Sequence, residues 1–394
     1  MKINVRELEL YIHIPFCIKK CRYCDFLSAP APEHVIQAYL DQMLQEIRAV
    51  SQSYTNNQVT TVFIGGGTPS VLLPSQMQRL LEQLHKSFHI AADAEITVEC
   101  NPGTLDAAKL RTYLASGVNR LSIGLQSADE KELRLLGRVH TYQEFRSNYE
   151  LARRIGFENI NVDLMAALPG QKADTYADTL EKVTALAPEH LSAYSLMIEE
   201  GTPFFDRYAE ADRLRQKGKA QQLLPDEEEE RKMYLLTKEL LQRAGYQRYE
   251  ISNYALDGYA CRHNIGYWRR KNYLGIGLGA ASMVENVRFS NTSDLGKYLN
   301  IDFKSNISSY IDRYTLKIHE QMEEFMFLGL RMTQGISGKE FQKQFHKCLE
   351  EVYGTVLNKQ LNQKFILKTK EGYCLTDFGI DISNYVLAEY LLDV

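Results

Sequence analysis

Apolar positions in the first half of the chain follow two alternating patterns. Short runs rich in β-branched and apolar residues recur at 8–14 (LELYIHI), 59–64 (VTTVFI), 94–99 (AEITVE), 119–124 (NRLSIG), 158–164 (ENINVDL) and 190–197 (HLSAYSLM). Between them, apolar residues are spaced at helical period near 33–52, 75–88, 104–115, 141–155 and 173–186. Strand and helix in strict alternation predict a parallel sheet with helices on its outside. Six such units are too few for a closed (β/α)8 barrel. The expected fold is therefore α/β, a partial and open (β/α)6 barrel.

Beyond Gly201 the pattern changes. Residues 206–232 are charge-rich, and the run DEEEER at 226–231 opens a helix that ends near Gly245. Acids in a first helical turn complement the helix dipole, so the run reads as a solvated helix start. The Tyr- and Gly-rich stretch 246–282 reads as irregular but structured. From about 315, a helix (318–331), a Gly-x-Ser start, a second helix and a hairpin around Glu371-Gly372 predict a winged-helix-like α+β module. The expected division is 1–200 for the barrel, 201–314 for an extension of it and 315–394 for the C-terminal module. No repeat of fixed period is visible.

Composition narrows the function classes. With 44% hydrophobic and 24% charged residues, the 394-residue chain has the make-up of an ordinary globular protein. A net charge of −4 gives no electrostatic case for nucleic acid, and the winged-helix-like segment carries more acids than bases. Seven cysteines, mostly isolated, fit a reducing compartment rather than a disulfide framework. The start MKINVRELELYIHIPFC has no apolar leader core, and no run of 18 apolar residues occurs. A cytoplasmic location is expected.

The candidate chemistry begins at Cys17, Cys21 and Cys24, in the run YIHIPFCIKKCRYCDF directly after the first strand. Thiolates are soft ligands for Fe–S clusters, zinc and copper(I). A four-iron cluster takes four ligands, so three thiolates leave one iron open to an exchangeable group. Half of a zinc site is the alternative, but no second C-x-x-C follows. In parallel β/α folds, ligands gather at the carboxyl ends of the strands. There the sequence has Gly65-Gly66-Gly67-Thr68-Pro69, Glu99-Cys100-Asn101-Pro102, Gln126 followed by Arg138, and Asp163. Cys100 reads as a buried, inert thiol.

The segment Tyr11–Phe26 resembles the cluster loop of the radical S-adenosylmethionine (SAM) superfamily, and YIHIPFC is similar to its oxygen-independent coproporphyrinogen III oxidase branch. The resemblance implies a [4Fe–4S] cluster on the three cysteines, with SAM chelating the fourth iron and cleaved by one electron to a 5′-deoxyadenosyl radical. It also implies SAM contacts at Tyr11, Gly66, Gly67, Thr68, Glu99, Gln126, Arg138, Asp163 and Met197. Three departures separate the chain from the oxidases. Phe26 stands where they carry a further cysteine, the long N-terminal extension is absent, and His263-Asn264-Ile265-Gly266-Tyr267-Trp268 forms an HNxxYW motif. The chain thus resembles the HemW family, regarded as haem chaperones.

That resemblance implies haem as cargo, with His263 as candidate contact, and an acceptor protein and electron donor of unspecified identity. Imidazole can ligate haem iron and aromatic faces suit a flat macrocycle, although the same residues could simply pack the extension against the barrel. Peripheral membrane association through an acceptor and a homodimer stay open. No catalytic residue is assigned. The alternative function is a radical SAM coproporphyrinogen oxidase or another tetrapyrrole-modifying enzyme.

Overall fold

The computed structural model describes residues 6–303 and 310–392. Residues 1–5 of the segment read for a leader lie outside the described residues, as do parts of the proposed extension and module. Six strands lie side by side in parallel: β1 (Arg6–Ile14), β2 (Asn57–Gly66), β3 (His89–Cys100), β4 (Arg120–Gln126), β5 (Ile160–Ala166) and β6 (His190–Ser195). The crossovers carry α1 (Glu33–Ser51), α2 (Pro74–Ser87), α3 (Ala107–Ala115), α4 (Glu130–Leu136), α5 (Tyr142–Ile155) and α6 (Ala173–Thr184). This is the expected partial barrel. Strands such as β1 are buried on both faces, as helix-covered parallel strands should be.

Each long helix turns an apolar stripe to the sheet, exemplified by Tyr39, Met43 and Ile47 of α1 and Phe145, Tyr149 and Ala152 of α5. Local signals set many of the ends. Thr141 and Glu144 form a capping box at α5, and Gly156 ends that helix in the left-handed region at φ 115°. Helix α4 carries no clear sequence period. It is only seven residues long, started by Asp129 accepting the amides of Lys131 (2.7 Å) and Glu132 (3.0 Å).

After β6 come α7 (Pro203–Gln216) and α8 (Glu227–Arg243), the latter being the acidic-start helix. The stretch 246–282 is more regular than expected. It contains β7 (Gln247–Arg248), β8 (Asn253–Ala255), α9 (Arg262–Trp268), β9 (Tyr273–Ile276) and the start of β10 (Ala281–Val284). With β11 (Val287–Ser290) and β12 (Ile311–Thr315), these strands extend both flanks of the barrel into a twelve-stranded sheet. Strand β9 runs parallel to β1, while β8 runs antiparallel to β6. Their shortness and tertiary pairing hide them from periodicity.

A short α10 (Leu295–Leu299) packs near α1, and Gln42 donates to the carbonyls of Tyr298 (3.0 Å) and Ile301 (2.7 Å). The C-terminal segment follows the order α11 (Ile318–Gly329), β13 (Ile336–Ser337), α12 (Gly338–Phe345), α13 (Leu349–Asn362), β14 (Ile366–Lys368) and β15 (Gly372–Leu375). A three-stranded sheet and a separate apolar core built on Met326, Phe341 and Tyr353 give it the winged-helix-like form. Two short helices, α14 (Asp377–Asp381) and α15 (Ser383–Ala388), complete it. Among the described residues, no helix is long and apolar enough to cross a membrane.

One end of the barrel interior is filled with polar groups rather than aliphatic layers. Arg120 is only 2% exposed and sits among Glu95, Asp163 and Tyr249. His190 bonds Asn161 (2.6 Å) and Tyr249 (2.8 Å). Glu9 is 1% exposed, and neither carboxylate oxygen has a hydrogen-bond partner. Burial pushes the Glu9 carboxyl up to about 8, so the fold favours its protonated form.

Because that value is raised, Glu9 contributes full stability below its unfolded value of 4.5 and loses it as pH rises through about 8. Glu9→Gln should therefore raise the melting temperature at pH 8 and change it little near pH 4.5, as scanning calorimetry at the two pH values would show. An equal effect at both would contradict the assignment.

Candidate functional site

The carboxyl end of β1 leads directly into the cysteine loop, and backbone bonds fix that loop to the end of β2. Gly67 donates to Ile14 (2.8 Å) and Thr68 to Phe16 (2.7 Å), continuing the β1–β2 contact past the strands. Pro15 accepts from Ala29 (3.0 Å), and Cys17 donates to Ala29 (3.3 Å), closing the loop at its base. Farther out, Arg22 donates to Leu136 (3.0 Å) and accepts from Phe204 (2.9 Å). Tyr23 packs on Phe204 with ring centroids 6.4 Å apart. The loop is thus held by β2, α4 and α7 together.

The glycines are required by close approach. Gly66 has φ 111°, and a Cβ at Gly67 would stand 2.6 Å from the Phe16 carbonyl oxygen. Gly66 N–H donates to Glu99 (3.0 Å). At the end of β4 the register slips between Gly124 and Gln126, and Gln126 takes φ 73°. A bulge of this kind turns a side chain out of the strand's alternation, here toward the cavity.

These elements enclose a cavity of about 200 Å³. Cys17, Cys21 and Cys24 line it together with Gly66, Gly67 and Thr68, and Glu99, Gln126, Arg138 and Asp163 complete the wall. The strand ends therefore bring all but two of the expected SAM residues to the cysteines. Tyr11 instead bonds His13 Nδ1 (3.0 Å) and lines another cavity with Tyr267 and Trp268. Met197 is 69% exposed and lines a cavity farther along the sheet.

The cavity wall is strongly polar. Arg138 donates to Asn101 (2.6 Å) and stands 3.5 Å from Cys21 Sγ, placing a fixed positive charge beside the thiols. Burial and the nearby Asp163 carboxylate push Glu99 up to about 7, against the Gly66 amide and the more distant Arg120. Burial likewise raises Asp163, opposed by hydrogen bonds from Asn161 and Ser192. Gln126 Oε1 is buried without a partner. An orphan acceptor, a carboxylate and an arginine facing one small space fit a ligand carrying amino, hydroxyl and carboxylate groups.

Among the described residues, no three Cys, His, Asp or Glu side chains converge on a single-ion site. Cluster thiolates each bind their own iron, so three thiols spread around one cavity fit a polynuclear group. Cys100 is buried, and burial pushes its thiol far up, consistent with an inert side chain.

The HNxxYW residues form α9. Glu95, from β3, accepts the amides of Arg262 (3.1 Å) and His263 (3.2 Å), satisfying donors at the helix start. This cap comes from 168 residues away, so local sequence could not announce the helix. His263 is 1% exposed, bonded to Thr61 (2.7 Å) and Tyr267 (2.9 Å), and stacked on Phe63. Burial holds it down at about 3, hence neutral. Both ring nitrogens are engaged in this conformation.

Residues 11–183 match the model of the radical SAM superfamily, and residues 316–382 match that of the HemN C-terminal domain. The protein named heme chaperone HemW from Lactococcus lactis is 35% identical over 97% of this chain and 97% of its own. The Bacillus subtilis protein of the same name is 35% identical over 97% of this chain and 98% of its own. This chain belongs to the HemW family. The Escherichia coli HemW is 34% identical over 99% of this chain and all of its own. The solved coproporphyrinogen III oxidase HemN from Escherichia coli shares the fold, with TM-score 0.83 at 23% identity over 98% of this chain and 90% of that one.

Two further residues shape the cavity wall, Asn101, which the sequence places in the strand-end run Glu99-Cys100-Asn101-Pro102 without a role, and Tyr194, which it does not single out. Asn101 joins Arg138 to Thr68, donating to the Thr68 hydroxyl at 2.8 Å, and its Asn-Pro position at a strand end was an available signal. Tyr194 lines the cavity where Met197 had been expected, and only strand register could distinguish them.

Gly67→Ala should lower stability by about 1–3 kcal/mol through overpacking against Phe16. Gly354→Ala, within α13 and with open space around it, should instead stabilise by up to about 1 kcal/mol. Urea unfolding of the two variants checks the pair, and a harmless Gly67→Ala would contradict the close approach.

Proposed function

We propose that this chain is a cytoplasmic haem carrier that holds a [4Fe–4S] cluster on Cys17, Cys21 and Cys24, binds SAM beside it and passes haem to an acceptor protein. The observation that carries the reading is the single cavity in which three thiols meet residues of five parallel strands, β2 to β6. The relatives' shared name, heme chaperone, supplies the haem-transfer part.

In this reading, Gly66, Gly67 and Thr68 face the amino-acid end of SAM. Glu99 accepts from ribose hydroxyls, while Gln126 and Asp163 satisfy further polar groups. Arg138 balances negative charge at the thiolates and is held by Asn101. Cys17, Cys21 and Cys24 would hold the cluster, which would supply one-electron reduction to SAM bound beside it. Tyr11 and Met197 would reach SAM only indirectly or after rearrangement. His263 organises the HNxxYW helix, and iron ligation by it would require release from Thr61 or Tyr267. We also propose the division into barrel (1–200), extension (201–314) and C-terminal module (315–394), which the separate C-terminal core supports.

Haem titrated into the pure protein should give a Soret shift that saturates near one equivalent. Absence of saturable binding, both with and without the cluster, would overturn the carrier reading. Anaerobic incubation with SAM, reductant and coproporphyrinogen should yield no protoporphyrinogen; its formation would make the protein an enzyme.

A further inference from the structure

We infer that the cavity between β5, β6, α8 and the C-terminal module binds a flat aromatic macrocycle bearing carboxylates, with Arg331 as its carboxylate anchor. This rests on the carrier reading and adds a place for the cargo. The cavity is about 740 Å³, within the roughly 300–1,000 Å³ of small-molecule and cofactor sites. Tyr176, Tyr194, Tyr234, Tyr254 and Phe378 give it aromatic walls. Phe378 and Met197 are 51% and 69% exposed, leaving apolar surface available to a large ring.

Arg331 supplies the polar anchor. Its guanidinium lies over the Trp268 ring, 4.4 Å from the ring centre, so the ring supports its position. The neighbouring Glu250 carboxylate stands 3.7 Å away, beyond hydrogen-bond length, and Nε is buried without a partner. Arg331 is thus ion-paired with Glu250 but makes no hydrogen bond to it, and its guanidinium lines the cavity, where its remaining donors can meet a carboxylate. Of the acids around this cavity, Glu230 is paired with Arg215 (2.9 Å) and Asp381 with Arg231 (3.3 Å), while Glu227 starts α8. Trp268 is thus a positioning residue, giving the end of the HNxxYW motif a task distinct from iron ligation. Tyr194 also lines the cysteine cavity, so one edge of the bound macrocycle would lie beside that site.

The test compares binding of haem and of haem dimethyl ester, which keeps the ring and loses both carboxylates, to the full chain. Arg331→Gln should weaken haem about tenfold, a loss of about 1.4 kcal/mol, while changing ester affinity less than twofold. Trp268→Ala should show the same selectivity. Ser195→Trp, which fills the cavity wall, should weaken both ligands at least tenfold without altering cluster iron content. Saturable haem binding by the unmodified protein, with Arg331→Gln and Ser195→Trp within twofold of it, would overturn this site and leave the carrier reading standing. No haem binding by the unmodified protein would remove both.

Discussion

The register of β1 against β2 is the constraint on which the site depends. Ile14 pairs with Gly66, and two further bonds, from Gly67 and Thr68 to Ile14 and Phe16, continue the contact beyond the strands. The cysteine loop and the glycine loop are thereby one backbone unit. Parallel strands send their carboxyl ends to the same edge, so Glu99, Gln126 and Asp163 arrive at that unit from their own strands. A one-residue slip would reverse the side-chain faces of a whole strand and remove its contribution.

Beneath that polar cavity the barrel interior holds buried charge in place of aliphatic layers. Arg120, Glu95, His190 and Asn161 are buried in the barrel interior, where His190 bonds Asn161 and Glu95 caps the HNxxYW helix. Ion pairs also tie the C-terminal segment to the sheet and to α8. Glu324 accepts from Arg270 (2.9 Å) and Arg288 (2.7 Å), while Asp377 pairs with Lys238 (2.6 Å) and Arg248 (3.0 Å). The Arg270–Glu324 pair is buried, so it contributes little net stability against desolvation while removing one partner would leave an uncompensated charge; the Asp377 pairs are solvent-exposed and contribute little.

The parallel barrel was legible because each strand and its helix carry their own periods, and because Cys17, Cys21 and Cys24 lie within one short loop. Gly66, Glu99, Gln126, Arg138 and Asp163 were legible through their positions after strands and their likeness to a known loop pattern. Strands β7 to β12 were not legible, since each is short and stabilised by partners distant in sequence. Helix α9 was missed for the same reason, its cap being Glu95. Met197 illustrates the limit of extrapolating a strand: β6 ends at Ser195, and the chain then turns away, leaving Tyr194 at the cavity. His263 looked available because sequence shows an imidazole but not the Thr61 and Tyr267 hydroxyls that engage it.

The central claim is that thiols and strand ends form one cluster-and-SAM site. Electron paramagnetic resonance of the anaerobically reconstituted, reduced protein, recorded with and without SAM, tests it most directly. A [4Fe–4S] signal whose shape changes on adding SAM is the predicted result, because SAM would bind the iron that lacks a cysteine. A cluster signal unchanged by saturating SAM, or stoichiometric zinc with no cluster, would contradict it.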